Sequence, residues 1–249
     1  MIIIKNSKEI DLMRIAGQIV AETLLLVEEK VRPGITTAEL NRIAEEFITK
    51  HGAKPSFKGL YGFPASLCIS VNEQVVHGIP GGYILKDGDI ISVDCGANIN
   101  GFHGDAARTF AVGNISEEAE RLINVTKESF FKGIEYAKVG NRLTDISHEI
   151  QSYVEASGFS VVRDFVGHGI GRVVHEDPDV PNYGRPGRGP KLVEGMALAI
   201  EPMVNVGNRK VKTLSDEWTV VTSDGSLSSH YENTIIILPD GPEILTLIK

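Results

Sequence analysis

A segment of the chain recurs 106 residues later, and this repeat restricts the possible folds more than any other feature of the sequence. The aligned pairs are Gly34 and Gly140, Glu39 and Asp145, Leu40 and Ile146, Phe47 and Tyr153, Ile48 and Val154, and Gly52 and Gly158. Apolar positions of any two amphipathic helices can be slid into register, so a chance match of two helical hairpins is the alternative. Because glycines and acids also align, the sequence favours a single domain, 1–249, with two related halves of approximately 1–112 and 113–249.

Each half is predicted to begin with two amphipathic helices, because apolar residues recur there every three or four positions. The first helix is predicted to stop at Pro33-Gly34, and the second to end at Gly52. The third is predicted to start at Ser116, and the fourth to run from Leu143 to Ala156. Thr36 and Glu39 predict a capping box at the start of the second helix.

Strand patterns follow the helices in each half. The predicted strands are Leu67 to Val71, Ile90 to Ala97, Asp105 to Val112, and runs near 197–204, 217–222 and 229–238. The segment from Gly184 to Pro190 is rich in Gly, Pro and Arg, which is typical of a surface loop. We therefore expect an α+β fold, in which the strands form a central antiparallel sheet and the helices cover its outer side.

The composition excludes several classes of protein. Apolar residues make up 42% of 249 positions, enough for a large core, which excludes a disordered chain. The net charge of −8 argues against nucleic acid as a substrate. Only two cysteines occur, Cys68 and Cys95, and they favour a reducing compartment, which is the cytoplasm. Because no apolar run reaches about 18 residues, we expect no membrane span.

Two aspartates are predicted to lie on the same face of a β-hairpin, as diagonal neighbours. In the strand around Asp94, the neighbours Val93 and Cys95 would point to the opposite face. If Asn100-Gly101 forms the turn, Asp105 pairs with Gly96, two residues from Asp94. Diagonal neighbours of this kind lie about 7 to 8 Å apart, close enough for both carboxyl groups to reach one ligand. Alone, Asp105 would more often be an ordinary turn residue.

Two further acids lie in strand-like surroundings in the second half, Glu201 and Glu232. Acids rarely face a sheet interior without a partner. Four carboxylates that converge would repel one another and take up protons, whereas two divalent cations would keep all four ionised. The sequence therefore predicts a site for two metal ions.

Three histidines lie in motifs that either a site or ordinary packing could explain. His168 lies between Gly167 and Gly169, and His175 follows seven residues later, which is not the spacing of a helical zinc motif. A histidine among glycines is more often a surface or core residue, and His77 has the same alternative as a turn residue. The closely spaced glycines do not match the dinucleotide-binding pattern.

The chain resembles the type I methionine aminopeptidases over almost its whole length. The motifs that carry the resemblance run from Phe165 to Tyr183 and from Ser70 to Pro80. The resemblance implies the pita-bread fold, a pseudo-two-fold pair of helix-helix-sheet halves. It also implies ligands for two divalent ions, namely Asp94 on one ion, Asp105 and Glu232 on both, and His168 with Glu201 on the other.

The mechanism that this resemblance implies is hydrolysis of the first peptide bond by a hydroxide that bridges the metals. It assigns Glu201 as the proton carrier, His77 as a contact of the scissile amide, and His175 as a stabiliser of the developing oxyanion. The pocket for the methionine side chain would contain Phe57, Leu60, Phe63, Cys68, Val174 and Trp218. Simple core packing is the alternative explanation for most of these apolar residues.

Two other functions are compatible with the sequence. A proline-directed aminopeptidase or prolidase of the same fold would share the ligands, although such enzymes usually carry a further N-terminal domain. A non-catalytic peptide-binding module would be expected to have lost ligands. The resemblance implies a monomer that acts on nascent chains, and therefore near the ribosome. The ligand types admit Mn, Fe, Co or Zn.

Overall fold

A computed structural model describes residues 1–248 of the chain. Four α-helices are present in this range, namely α1 (Ser7–Lys30), α2 (Thr37–Lys50), α3 (Glu117–Ile134) and α4 (Leu143–Ala156), together with a short 3-10 helix at Leu60–Gly62. Both limits of α4 lie 106 residues after those of α2, as the repeat predicts. Asn6 caps α1 through the backbone N–H of Glu9, and Ser116 caps α3. Within the described range, no helix combines the length and apolar content that a membrane crossing requires.

Most of the strands are short, although β4 and β5 have ten residues each, and every pairing between the strands is antiparallel. They are β1 (Lys54–Pro55), β2 (Leu67–Val71), β3 (Gln74–Val76), β4 (Ile90–Ile99), β5 (Phe102–Ala111), β6 (Ser160–Val161), β7 (Gly167–Gly169), β8 (Glu176–Val180), β9 (Ala197–Ile200), β10 (Met203–Asn205), β11 (Val211–Thr213), β12 (Val220–Thr222), β13 (Ser228–His230), β14 (Asn233–Leu238) and β15 (Gly241–Ile244).

The strands divide into four hydrogen-bonded sheets, where the sequence predicted one pooled sheet. Two of them matter most for function. The first-half sheet contains β1, β2, β4 and β5, and the second-half sheet contains β7, β8, β9, β14 and β15. Ala107 and Glu232 exchange backbone hydrogen bonds of 3.3 and 3.0 Å, which join the first-half sheet to the segment before β14. The two halves therefore meet along β5.

Each half has its own apolar core between helices and sheet. In the first half, α1 and α2 bury Val20, Leu24 and Leu40 against β4, through residues such as Ile91 and Val93. In the second half, α3 and α4 cover the sheet of β9 and β14 with a separate cluster. Full burial of one such aliphatic side chain contributes about 1.5 to 3 kcal/mol, so this packing stabilises the contact of the helices with both sheets.

Four local predictions differ from the structure. The predicted strand 197–204 breaks at Glu201-Pro202, and the run 229–238 breaks between His230 and Asn233. Proline has no backbone N–H for a ladder, which explains the first break. In 217–222, only Val220–Thr222 is a strand. The capping box of α2 forms only in part, because Thr36 accepts from the N–H of Glu39 while the Glu39 carboxylate binds Arg42.

Candidate metal centre

Asp94 and Asp105 lie on adjacent strands of the first-half sheet. Asp105 pairs with Gly96, as the Asn100-Gly101 turn predicts, and Asp94 pairs with Ala107. The side chain of Asp94 therefore lies on the same face of the sheet as that of Asp105. The backbone of Asp105 is fixed by Thr234, whose Oγ1 accepts from its N–H at 3.0 Å and donates to its carbonyl at 2.8 Å. This hairpin presents two carboxylates on a rigid support.

His168 lies in the central part of the second-half sheet, where neighbouring backbone approaches closely. A Cβ atom on Gly167 would overlap the carbonyl of Ala199, and one on Gly169 would overlap the carbonyl of Asp177. These close approaches explain why the histidine is flanked by glycines. The Nδ1 atom of His168 is 2.9 Å from the carbonyl oxygen of Gly169, so Nδ1 carries the proton and Nε2 is free to bind a metal.

The two glutamates occupy the strand breaks of the second half. Glu201 comes directly after β9, and Glu232 directly before β14. The backbone hydrogen bonds between Glu232 and Ala107 place this glutamate beside the hairpin of the first half. The Oε1 atom of Glu201 is 3.7 Å from Nε2 of His168. Glu232 is 2% exposed and Asp105 is 3% exposed, so both acids are removed from bulk water.

A cavity of about 120 Å³ brings the predicted site residues together. Its lining contains Phe57, Leu60, Tyr61, Phe63, Cys68, His77, Asp94, Asp105, His168, His175, Glu201, Trp218 and Glu232. All five predicted ligands, both additional histidines and five of the six predicted pocket residues are among them. Val174 is the exception, since it packs behind the apolar wall in a cluster with Phe57 and Cys68.

The carboxylates of this cavity have oxygen atoms that no protein group satisfies. Oδ1 of Asp94, Oδ1 of Asp105 and Oε1 of Glu232 are buried and have no hydrogen-bond partner. Leaving a buried acceptor without a partner costs about 1 to 3 kcal/mol, and more when the group is charged. Ligand atoms of Asp105, His168 and Glu232 lie within 4.8 Å of one another. This donor set of carboxylates and one imidazole fits divalent transition metals.

Without cations, the cluster takes up protons. Burial raises the pKa of Asp94 to about 7. Burial, followed by the charges of neighbouring acids, raises the pKa of Asp105, Glu201 and Glu232 well above the usual range. Burial lowers the pKa of His168 to about 4, so this imidazole is neutral and able to coordinate at neutral pH. Bound cations would reverse the preference of the acids and keep them ionised.

His77 and His175 also line the cavity. His77 is half-buried and has a φ of 60°, an uncommon conformation for a residue with a side chain. His175 is exposed; its ring is perpendicular to that of His168 with centroids 4.5 Å apart, and parallel to that of Tyr61 with centroids 5.9 Å apart. Burial lowers the pKa of His77 to about 4, and desolvation of the part of the His175 ring that faces the cavity lowers the pKa of His175. Both rings are therefore neutral at neutral pH and can donate or accept one hydrogen bond.

Two residues of this region were missed by the sequence reasoning. Tyr61 lines the cavity and is 76% exposed. Its backbone φ is 51°, and no sequence pattern predicts this conformation for a tyrosine. His230 is 1% exposed and its Nε2 atom has no hydrogen-bond partner. Its position two residues before Glu232 was the only available signal.

Comparison with known proteins places the chain in one group of enzymes. The model of metallopeptidase family M24 matches residues 11–239. A methionine aminopeptidase of Clostridium perfringens is 79% identical over the full length of both chains, and methionine aminopeptidase 1 of Bacillus subtilis is 58% identical over the full length of both. The crystal structure of methionine aminopeptidase from Thermotoga maritima is similar with a TM-score of 0.98 and 48% identity, and the match covers all of both chains.

Proposed function

The chain belongs to metallopeptidase family M24, and we propose that it removes the N-terminal methionine from peptides and nascent proteins. It is a metal-dependent hydrolase with the pita-bread fold of that family. The observation that carries the proposal is the cavity in which buried, unpaired carboxylate oxygens and a neutral imidazole face an apolar wall. Such a site can hold cations and bind an apolar side chain next to them.

We propose two divalent ions per chain, with the five ligands that the sequence predicted. Asp94 would hold one ion, His168 and Glu201 the other, and Asp105 with Glu232 would bridge both. The support is geometric, since carboxylate and imidazole atoms from separate elements converge on one cavity and several of them lack other partners. Bound ions would polarise the scissile carbonyl group and activate water.

The residues around the ions have separate roles in this proposal. Glu201 would carry the proton of the attacking water, because its carboxylate lines the cavity beside the other proposed ligands. The neutral imidazole of His77 would contact the scissile amide. His175 would donate a hydrogen bond to the carbonyl oxygen as negative charge develops on it. Neither histidine is assigned as a ligand in this proposal.

The apolar wall of the cavity would bind the methionine side chain. Phe63 and Trp218 meet edge to face with ring centroids 5.1 Å apart, and Phe57 and Cys68 complete the wall. A thioether packs favourably against the edges of aromatic rings. Burial raises the pKa of the Cys68 thiol, so this cysteine is a small apolar group here rather than a nucleophile. Val174 would support the wall from behind.

A peptide assay tests the proposed function. The protein is loaded with Mn²⁺ or Co²⁺ and given Met-Ala-Ser, Met-Pro and Ala-Pro peptides. Release of methionine from Met-Ala-Ser is the expected result. Release of only the residue that precedes proline would instead support a proline-directed enzyme of the same fold. No hydrolysis of any peptide with both metals bound would favour a non-catalytic binding module.

The cellular setting belongs to the same proposal. Cys68 and Cys95 are both unpaired and buried, which supports a reducing compartment such as the cytoplasm. A monomer that works close to the ribosome stays a sequence prediction.

A further inference from the structure

His230 is the buried histidine that the family ligand set leaves unassigned, and its backbone is held firmly. It is the last residue of β13 and pairs with Met203 of β10. Thr109 on β5 accepts a hydrogen bond from the His230 N–H at 3.0 Å and donates one to its carbonyl at 2.9 Å. Thr109 is itself bound to Ser92 at 2.8 Å. The ring is therefore positioned by both halves of the molecule.

The ring nitrogen of His230 points at two of the proposed metal ligands. Its Nε2 atom is 3.6 Å from Oε2 of Glu201 and 3.8 Å from Oε2 of Glu232. Both separations exceed the range of a hydrogen bond, so neither carboxylate satisfies this nitrogen. Nε2 is buried without any partner. The gap between this nitrogen and the two carboxylate oxygens is therefore one that a bound group could fill.

The separations of 3.6 and 3.8 Å are close to those expected of atoms that share one cation. Ligand atoms about 2.0 to 2.2 Å from one ion lie about 3 to 3.6 Å from each other. His168, which the family pattern makes a ligand, has its Nε2 atom 3.7 Å from Oε1 of Glu201. His230 thus stands to one oxygen of Glu201 as His168 stands to the other. The ligand atoms of Glu201, His230 and Glu232 all lie within 4.8 Å of one another.

We propose that His230 is a further metal ligand, whose Nε2 atom binds a divalent cation together with Glu201 and Glu232. This inference rests on the proposed metal centre and adds a second imidazole to it. Nitrogen ligands favour Fe, Co and Zn, whereas carboxylates alone suit Mn and Mg. The additional imidazole therefore raises the preference of the centre for Co²⁺ over Mn²⁺.

Proton NMR of the full-length Co²⁺-loaded protein tests the proposal on the unaltered chain. Each imidazole bound to paramagnetic Co²⁺ gives a strongly shifted, exchangeable N–H resonance. Two such resonances are expected, one from His168 and one from His230, and a single resonance would overturn the proposal. The His230→Gln variant should retain one. His77→Gln is the matched control, since it changes a histidine of the same cavity and should keep both.

Metal affinities give a second readout. Calorimetric titration of His230→Gln should show Co²⁺ binding weakened at least about tenfold, with a smaller loss for Mn²⁺. Equal losses for both metals, or an unchanged number of shifted resonances, would show that His230 supports the site without binding metal, and would overturn the proposal. Failure of the unaltered protein to bind Co²⁺ at all would instead contradict the proposed function. Circular dichroism checks that each variant is folded.

Discussion

Metal binding to this protein should release protons, and the buried carboxyl groups should be their source. Burial raises the pKa of Asp94 to about 7, so this group is protonated in the metal-free protein at pH 6 and ionised at pH 8. A cation can bind only the ionised form, and it must displace the proton. His168 contributes no proton, because burial lowers its pKa to about 4 and the ring is already neutral at pH 6.

The size of the effect follows from the pKa of Asp94. At pH 6 a carboxyl group with a pKa near 7 is about 90% protonated, and at pH 8 about 10%. Asp94 alone should therefore release about 0.9 proton per chain at pH 6 and about 0.1 at pH 8, and Co²⁺ affinity should rise about tenfold between these values. Asp105, Glu201 and Glu232, whose pKa values burial also raises, would add to both effects.

The assay is calorimetric titration of the metal-free protein with Co²⁺ at pH 6, 7 and 8. Each titration is repeated in two buffers of different ionisation enthalpy, and the difference gives the number of protons released. The Asp94→Asn variant should release about one proton fewer at pH 6 than the unaltered protein. Binding that releases no protons at pH 6, or an affinity independent of pH, would refute the description of these acids as protonated in the absence of metal.

Three further predictions concern single substitutions. Asp105→Ala should lower the metal content to one ion or none, because it removes a proposed bridge; two ions by elemental analysis would contradict the ligand set. His175→Ala should lower kcat about 10²-fold to 10³-fold and leave the metal content unchanged, which steady-state kinetics and elemental analysis check together; unchanged turnover would remove the oxyanion role. Gly169→Ala should destabilise the fold by about 1 to 3 kcal/mol in urea unfolding, because the added methyl group overlaps the carbonyl of Asp177; an unchanged midpoint would show that the close approach relaxes at little cost.

The features of the site and fold that depend on local geometry could be predicted from the sequence. The hairpin is the clearest case, since the Asn100-Gly101 turn fixes the register that pairs Asp105 with Gly96. The second helix of each half was also predicted correctly, because Thr36 caps the start of α2 and a glycine, Gly52 or Gly158, follows the end of each helix. These features are set by residues close together in the chain, so sequence patterns reveal them.

Features that depend on contacts between distant segments could not be read in the same way. The division into four sheets arises at breaks such as Glu201-Pro202, and which strands then pair is decided by packing of both halves. His230 lies in a polar stretch without periodicity, and its direction is set by Thr109 more than a hundred residues earlier. The carboxylate of Glu39 likewise binds Arg42 rather than completing a capping box, a choice between two local partners that the motif alone does not decide.

The division of the acidic and imidazole groups between the halves has a consequence for how the protein is made. Asp94 and Asp105 leave the translating ribosome first and can form their hairpin at once, whereas His168, Glu201 and Glu232 follow much later. Until Glu232 is synthesised and β14 docks beside β5, the early aspartates face only part of a coordination sphere. Under this ligand set, binding of both cations is therefore among the last events of folding. It stabilises a chain only after its two halves have docked.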